Sequence, residues 1–152
     1  MTPDHSKVLI RSLVMEDIPA IKEIEKKIIF SRDQDYIDVA VSQNIEEGPK
    51  EATLGAELDG KLVGFLIGRT AYWEYGSVSK TGWVVAVGVL PELQGTGIGK
   101  MLGDRVIKYF KKENARTLKA LVDWDQADLI TYFKALGFVK NTEMILQLDL
   151  QD

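Results

Sequence analysis

Cysteine is absent from this 152-residue sequence, and histidine occurs only once. The absence of cysteine excludes disulfide bonds, thiolate metal ligands and a thiol nucleophile, and it suits a reducing compartment. Long apolar runs are also missing, since none approaches the roughly 20 residues of a membrane-spanning helix. The stretch from Met1 to Ser12 lacks the apolar segment of a secretory signal. We therefore expect a cytoplasmic protein with no membrane partner.

An excess of positive charge is missing as well. Lysine and arginine number 19 against 23 aspartates and glutamates, which gives a net charge of -4. This balance predicts no nucleic-acid partner, because sequence-independent nucleic-acid binding needs a basic surface. His5 stands near the terminus, and we assign it no role. The stretch "DWDQAD" spaces three aspartates without the glycine and distal glutamate of a calcium loop, so we predict no metal site.

The chain reads as one domain, residues 1–152, because it contains no linker of low complexity and no internal repeat. Apolar periodicity and turn residues predict ten elements in the order β-α-α-β-β-β-α-β-α-β, a mixed α/β fold. The strands are expected over 7–14, 52–58, 61–69, 81–90, 116–122 and 144–150. The helices are expected over 15–28, 97–115 and 125–138, with a shorter one inside 30–50. Asp59-Gly60 predicts a type I′ hairpin between two of the strands.

Three glycines, Gly95, Gly97 and Gly99, stand where a helix should begin after a buried strand, in "LPELQGTGIGKML". Glycine lets several backbone N–H groups point into one space without obstruction by Cβ. The first N–H groups of a helix have no partner within it, and the helix dipole adds partial positive charge there. The glycine run therefore predicts a site for a phosphorylated ligand, held by backbone contacts.

Two known phosphate-binding motifs and one interpretation without a ligand are compared with the glycine run. A P-loop is excluded, because Gln94 replaces its first glycine and Met101 its hydroxyl residue. The dinucleotide fingerprint G-x-G-x-x-G lacks its third glycine. That place is held by Lys100 if the motif starts at Gly95 and by Leu102 if it starts at Gly97. A nucleotide-binding oxidoreductase nevertheless stays an alternative, with Asp123 as the ribose ligand. The last interpretation is a merely flexible turn.

The segment "QGTGIG" matches Q/R-x-x-G-x-G/A through Gln94, Gly97 and Gly99, and in this it resembles the acetyl-CoA signature of the GNAT N-acetyltransferases. The preceding "VAVGVLPEL" resembles the family's strand before the loop, and "DQADLITYFKALGF" resembles its later helix. The resemblance implies a single GNAT-like domain. Its mixed, mostly antiparallel sheet would splay around acetyl-CoA.

Acetyl-CoA is the co-substrate that the resemblance implies. Its diphosphate would lie on the loop, and its pantetheine arm would bond to the strand before it. Gly88, in the middle of that strand, would allow a close approach or would serve packing alone. The residues assigned to acetyl-CoA in this way are Val87, Val89, Gln94, Gly95, Thr96, Gly97, Ile98, Gly99, Lys100, Gln126 and Phe133.

The general acid and the general base of the transfer have no clear motif in the sequence. Phe133 occupies the place of the family's tyrosine acid, so the neighbouring Tyr132 is the candidate, and otherwise the thiolate leaves without a side-chain acid. Gln126 stands in the place of the motif's asparagine. Glu74 and Asp123 are candidate bases acting through water. The plainer alternatives are that Glu74 is a surface charge and that Asp123 or Asp125 caps a helix.

The predicted function is transfer of an acetyl group to a primary amine by direct attack in a ternary complex. The alternative is a non-catalytic acyl-CoA-binding module or sensor. The acceptor would be a protein amine or a small molecule, and family habit suggests a homodimer. The aromatic residues Tyr72, Trp73, Tyr75 and Trp83 would wall an acceptor pocket or pack in a core or dimer contact. A cationic acceptor would suit the carboxylates of the segment before the first hairpin, which are Asp33, Asp35, Glu46 and Glu47.

Overall fold

The computed structural model describes residues 4–28, 37–71 and 80–151. Within these residues, five strands form one sheet in the order β1-β2-β3-β4-β5, in which only the last pair is parallel. The strands are β1 Val8–Ser12, β2 Thr53–Leu58, β3 Lys61–Ala71, β4 Thr81–Val89 and β5 Thr117–Ala120. The helices are α1 Ile18–Lys27, α2 Ser42–Glu47, α3 Ile98–Lys112 and α4 Ala127–Ala135. The predicted mixed and mostly antiparallel architecture is confirmed, and none of the described helices has the length and apolarity to span a membrane.

The β2–β3 hairpin has the predicted turn. Asp59 and Gly60 have φ values of 54° and 76°, as a type I′ turn requires at both central positions. This turn fixes the register in which β2 and β3 pair. The hairpin places the long strand β3 in the middle of the sheet, where its residues 62–68 are buried.

The core lies on both faces of the sheet. A Cβ added to Gly64 of β3 would meet Leu102 of α3, whereas one added to Gly88 of β4 would meet Ile28, just past α1. Because Gly88 is the register partner of Phe65, the residue after Gly64, these two directions belong to opposite faces. Helices α1 and α3 therefore cover opposite sides of the sheet.

Helix α3 buries the predicted stripe. Ile98, Leu102, Val106 and Phe110 are at most 2% exposed, and each contributes roughly 1.5–3 kcal/mol by leaving water. The face of α3 that they form packs on the sheet where Gly82 leaves room. A Cβ added to Gly82 would approach the Phe110 ring to 2.7 Å.

A charged network joins β1, β2 and the start of α1. The Arg11 guanidinium donates to both carboxylate oxygens of Asp17, at 2.8 and 2.9 Å, and to Glu57 at 3.1 Å. Asp17 also accepts from the amide of Val14. Burial by itself raises the pKa of the Asp17 carboxyl, but these hydrogen bonds and the guanidinium charge outweigh burial and hold it below the ordinary value.

The sheet opens between β4 and β5. The two strands pair only from Thr81 with Thr117 to Val84 with Ala120. From Val85 onward, β4 has no strand beside it on that side in the described part of the chain. The opening leads directly into the glycine loop, since Leu90 follows β4 and the turn Pro91–Leu93 comes next.

The chain after α4 differs from the expectation. Residues 144–150, predicted as a last strand, belong to neither a helix nor a strand, and their apolar side chains are open to solvent. No described strand pairs with them, so the alternating pattern that predicted the strand is present without its pairing.

Candidate active site

The glycine loop turns twice through left-handed backbone before α3 begins. Gly95 has φ 79°, and Gly97, the residue that precedes the helix, has φ 97°. Both values lie in the region that glycine enters without a steric penalty. None of the described side chains caps the start of α3. The sequence folds in this way because glycine occupies both positions at which the chain must reverse.

Several backbone N–H groups of this loop are left unpaired. The first bond of α3 runs from the Met101 amide to the Gly97 carbonyl oxygen, at 3.0 Å. Five amides around it donate to no acceptor in the described parts of the chain, namely those of Gly95, Gly97, Ile98, Gly99 and Lys100. Such a group at the positive end of a helix dipole makes a candidate anion site.

The polar side chains of the loop hold its own backbone. Thr96 donates through Oγ1 to the Leu93 carbonyl oxygen at 2.5 Å, and its amide donates to the same oxygen at 3.3 Å. Gln94 donates from Nε2 to the Val89 carbonyl oxygen at 3.1 Å. These contacts brace the turn from outside and leave the five unpaired amides free.

Val87 and Val89 lie on the open half of β4, as the predicted pantetheine site requires. Between them, Gly88 has a packing reason for lacking a side chain. A Cβ there would come within 2.8 Å of the Phe65 ring and 3.0 Å of Ile28. The strand has a bulge at Val85, since Ile67 pairs with Ala86 and the next residue of β3 pairs with Val84.

Helix α4 is held against α3 through two glycines. The Tyr132 hydroxyl donates to the Gly99 carbonyl oxygen at 2.7 Å. A Cβ on Gly99 would come within 3.1 Å of the Tyr132 ring, and one on Gly103 would come within 2.6 Å of Leu136. The sequence analysis missed Gly103, although its distance of four residues from Gly99 is the spacing of a helix surface on which another helix packs closely.

Tyr132 therefore lies beside the glycine loop. Burial, together with the charge of Asp104, raises the pKa of its hydroxyl well above the ordinary value of 10. The hydroxyl stays protonated at neutral pH and acts as a hydrogen-bond donor. Its neighbour Phe133 is buried in the core, where its ring centroid lies 4.9 Å from that of Phe138.

Gln126 and Asp123 close the turn between β5 and α4. The Asp123 amide donates to Gln126 Oε1, and the Gln126 amide donates back to the Asp123 carbonyl oxygen, both at 3.1 Å. The alternative that Asp123 or Asp125 caps α4 is wrong, because no side chain caps this helix. The carboxylate of Asp123 is left exposed.

The remaining predicted charges that the structure describes are exposed. Lys100 is exposed and forms an ion pair with Asp104 at 2.7 Å. Glu46 and Glu47 are exposed on α2. Other predicted residues fall outside the described parts of the chain, namely the candidate base Glu74, the aromatics Tyr72, Trp73 and Tyr75, and the acidic Asp33 and Asp35. Among the described residues no group of three or more potential metal ligands is found.

His5 contacts the glycine loop, a position that no sequence pattern predicted. Its Nε2 lies 2.7 Å from the Thr96 carbonyl oxygen, so this nitrogen donates. A Cβ added to Gly97 would approach the His5 ring to 2.8 Å. The turn His5–Lys7 thus packs the amino-terminal end of the described chain against the candidate anion site.

A cavity of about 540 Å³ lies on the opposite side of α3 from Gly99 and Gly103. Its walls carry four basic side chains and one acidic side chain. The lining residues are Arg11, Ser12, Glu51, Leu54, Arg105, Lys108, Tyr109 and Lys112. This basic lining disfavours a protonated amine.

Known proteins match the chain in sequence and in fold. Residues 18–138 match the family described as Acetyltransferase (GNAT) family. The mycothiol acetyltransferase of Streptomyces griseus subsp. griseus is 36% identical over 84 residues, which are 55% of this chain and 25% of that protein. The chain thus spans about a quarter of the length of that relative.

Two solved structures show the same fold. The aminoglycoside N-acetyltransferase AAC(6')-Iy in complex with CoA superposes with a TM-score of 0.73 at 17% identity, over 95% of both chains. The ribosomal-protein-S18-alanine N-acetyltransferase from Escherichia coli gives 0.71 at 23% identity, over 89% of this chain and 79% of that one. Because the family match runs from the start of α1 through the glycine loop to Phe138, the chain belongs to the GNAT acetyltransferase family.

Proposed function

We propose that this chain is an N-acetyltransferase that transfers the acetyl group of acetyl-CoA to a primary amine. The observation that carries the proposal is the set of five unpaired amides at the start of α3, beside the open half of β4. The membership in the GNAT family supports it, as does the fold shared with an acetyltransferase that holds CoA.

The loop fits a diphosphate through its backbone. The unpaired amides of Gly95 and of 97–100 would donate to phosphate oxygens, and the dipole of α3 favours the negative charge. Lys100 is exposed and already paired with Asp104, so it would add charge near the site without being essential. Most of the binding would therefore come from the main chain.

The open edge of β4 fits the pantetheine arm. Peptide-like groups of a ligand can pair with a free strand edge as an added strand does. Val87 and Val89 would offer their backbone groups for this pairing. The Val89 carbonyl oxygen accepts from Gln94 Nε2, so Gln94 would give up this bond or share it with the ligand.

Acetyl-CoA, when bound, supplies an activated thioester. An amine nitrogen would bond to the acetyl carbon as the carbon–sulfur bond breaks, and an acyl-cysteine intermediate is excluded because the chain has no cysteine. A backbone N–H near Val87 to Val89 would stabilise the developing oxyanion. Tyr132 would donate its hydroxyl proton toward the leaving sulfur, and Asp123 or Glu74 would accept the amine proton through water.

The acceptor is proposed as an amine of a protein or of a small molecule. The two solved relatives are named for an aminoglycoside and for the alanine of a ribosomal protein. Both classes therefore belong in a substrate screen. We place the acceptor on the side of β4 that opens toward β5, because the cavity behind α3 has a basic lining.

Release of free thiol from acetyl-CoA, measured with a panel of amines, tests the proposed function. The chain contains no cysteine, so every thiol detected comes from coenzyme A. We expect release that depends on one class of amine, with mass spectrometry showing the acetylated product. Binding of acetyl-CoA in calorimetry with no turnover across peptides, amino acids, polyamines and aminoglycosides would favour the non-catalytic alternative.

A further inference from the structure

The first turn of the described chain holds the His5 ring against the glycine loop. Asp4 accepts through Oδ1 from both the amide and the hydroxyl of Ser6, at 3.0 and 2.7 Å, and the Lys7 amide donates to the Asp4 carbonyl oxygen at 2.9 Å. Strand β1 follows directly at Val8, which already pairs with β2. His5 is therefore held three residues from the sheet, although the sequence analysis assigned it no role.

The polar contact of the ring is with the peptide unit between Thr96 and Gly97. His5 Nε2 donates to the Thr96 carbonyl oxygen at 2.7 Å. This peptide bond is trans, so the C=O of Thr96 and the N–H of Gly97 point in opposite directions. The bond from His5 thus directs the Gly97 N–H away from the ring. That N–H is one of the five unpaired amides at the start of α3.

The backbone at Gly97 permits this peptide unit to turn over. Gly97 has φ 97° and ψ -4°, which are close to the angles at the third position of a type II turn. In a type I turn the central peptide unit is reversed, and φ at the third position is about -90°. Glycine adopts both signs of φ without a steric penalty. The bonds that Thr96 makes to the Leu93 carbonyl oxygen come from its own amide and hydroxyl, so they hold the residue before this peptide unit.

The orientation of the unit decides whether this part of the loop attracts an anion. In the observed orientation the Gly97 N–H is free to donate, whereas in the reversed orientation the Thr96 carbonyl oxygen takes its place and repels a phosphate oxygen. A ligand that binds one of two orientations has its apparent affinity reduced by the fraction of molecules in the other. A contact that fixes the unit therefore raises the affinity of the loop without touching the ligand.

We propose that His5 is a positioning residue for the diphosphate of acetyl-CoA. Its Nε2–H holds the peptide unit between Thr96 and Gly97 in the orientation that offers the Gly97 amide to the ligand. This role rests on the proposed function, because it takes the diphosphate to lie on the glycine loop. It needs only the proton on Nε2, which a neutral imidazole carries in one of its tautomers, and no charge on the ring.

Two substitutions separate the hydrogen bond of His5 from its ring and its charge. His5→Gln keeps an N–H donor near the place of Nε2 without the ring, whereas His5→Phe keeps a ring on Gly97 without the donor. In calorimetry with coenzyme A we expect His5→Gln to lie within about twofold of the wild type and His5→Phe to bind at least about fivefold more weakly. Pantetheine lacks the diphosphate, so it should bind all three proteins equally. His5 is exposed, and we expect both variants to keep the far-UV circular dichroism spectrum of the wild type.

Equal affinities of the wild type and His5→Phe for coenzyme A would overturn the proposed role of His5. An equal loss in both variants would also overturn it, because the ring or its charge would then be what matters. A loss in His5→Phe that extends to pantetheine would overturn it as well, since the substitution would then have altered the whole site. These three outcomes leave the proposed function standing, whereas a wild type that binds no coenzyme A would overturn both.

Discussion

Gly95, Gly97 and Gly99 lie within five residues, yet a different constraint acts on each of them. At Gly95 only the backbone angle requires glycine, since a Cβ would meet nothing within 4 Å. At Gly97 the angle and the His5 ring both require it. At Gly99 the backbone is helical, and the close contact with Tyr132 leaves little room for a side chain. Gly95 is therefore the position at which ligand binding can be changed with the least effect on packing.

Gly95→Glu should weaken binding of coenzyme A at least about tenfold, or ~1.4 kcal/mol, because the new carboxylate would face the diphosphate. Gly60→Glu is the matched control. Gly60 has nearly the same φ, 76° against 79°, and its Cβ direction is equally open, but it lies in the β2–β3 turn. Both variants should lose about 1–2 kcal/mol of folding stability from the left-handed backbone. Calorimetry that finds equal affinities in the two variants would contradict the anion site.

Tyr132→Phe separates the two roles open to this hydroxyl. Loss of its bond to the Gly99 carbonyl should cost about 0.5–1.5 kcal/mol of stability. If the hydroxyl donates a proton to the leaving sulfur, its removal should lower kcat by about 100-fold with a small change in KM. The raised pKa predicts that wild-type kcat shows no fall from deprotonation of Tyr132 up to the ordinary tyrosine value of about 10. Tyr109→Phe on α3 serves as the control, and a kcat that is unchanged in Tyr132→Phe would leave the hydroxyl a purely structural role.

At the residue scale, the sequence predicted the features that local backbone conformation determines, and it missed those that depend on contacts between residues far apart in the chain. The glycines marked the loop because a helix start rarely tolerates three of them. His5 gave no signal, since its contact with Thr96 joins residues 91 positions apart. Likewise, the motif left Tyr132 uncertain because one residue of helix changes a side chain's direction by about 100°. The contact with Gly99 fixes that direction.

At the element scale, the periods of the apolar residues predicted the helices and strands well. Ile98, Leu102, Val106 and Phe110 form the buried stripe of α3 as expected. The periodicity of apolar residues could not predict the residue at which a strand stops pairing with its neighbour. The open half of β4 follows from the departure of β5 after Ala120, a property of the pair that neither strand carries alone. The unpaired segment 144–150 has the same origin, since alternation shows that a strand has one apolar face and does not show what covers it.

Asp17→Asn should show how strongly the charged network holds β1, β2 and α1 together. The variant leaves Arg11 without its carboxylate partner, which should cost about 2–3 kcal/mol at pH 7. Because the folded pKa of Asp17 is lowered, its stabilisation is fully present above the unfolded value of about 3.9 and is lost as the pH falls through the lower folded value.

Urea unfolding at pH 7 and near pH 3 measures this difference between the wild type and Asp17→Asn. The gap in stability should narrow at the lower pH. Asp59→Asn is the control, since it removes an exposed aspartate from the β2–β3 turn, where asparagine fits equally well. A gap of the same size at both pH values would show that the charge of Asp17 is not what the network uses.

At the scale of the whole molecule, ligand binding should stabilise the fold through the loop. Coenzyme A at 100 times its dissociation constant should add about 2.7 kcal/mol. For a chain of this size, that corresponds to a rise in Tm of roughly 5–10 °C. Pantetheine lacks the diphosphate and should produce a much smaller shift, whereas dephospho-coenzyme A should keep most of it. Equal shifts with pantetheine and coenzyme A would place the main binding energy outside the glycine loop.

The close contact of α4 with Gly99 and Gly103 of α3 limits which substitutions this sequence can accept during evolution. A side chain at Gly103 would press on Leu136 of α4, the helix whose Tyr132 donates to the Gly99 carbonyl oxygen. A larger residue at Gly103 would be easier to accommodate with a smaller one at Leu136, although its Cβ would also approach the Tyr132 hydroxyl to 2.9 Å, so the two positions are coupled. In distant descendants of this chain, the volumes at these two places should vary inversely, with their sum nearly constant.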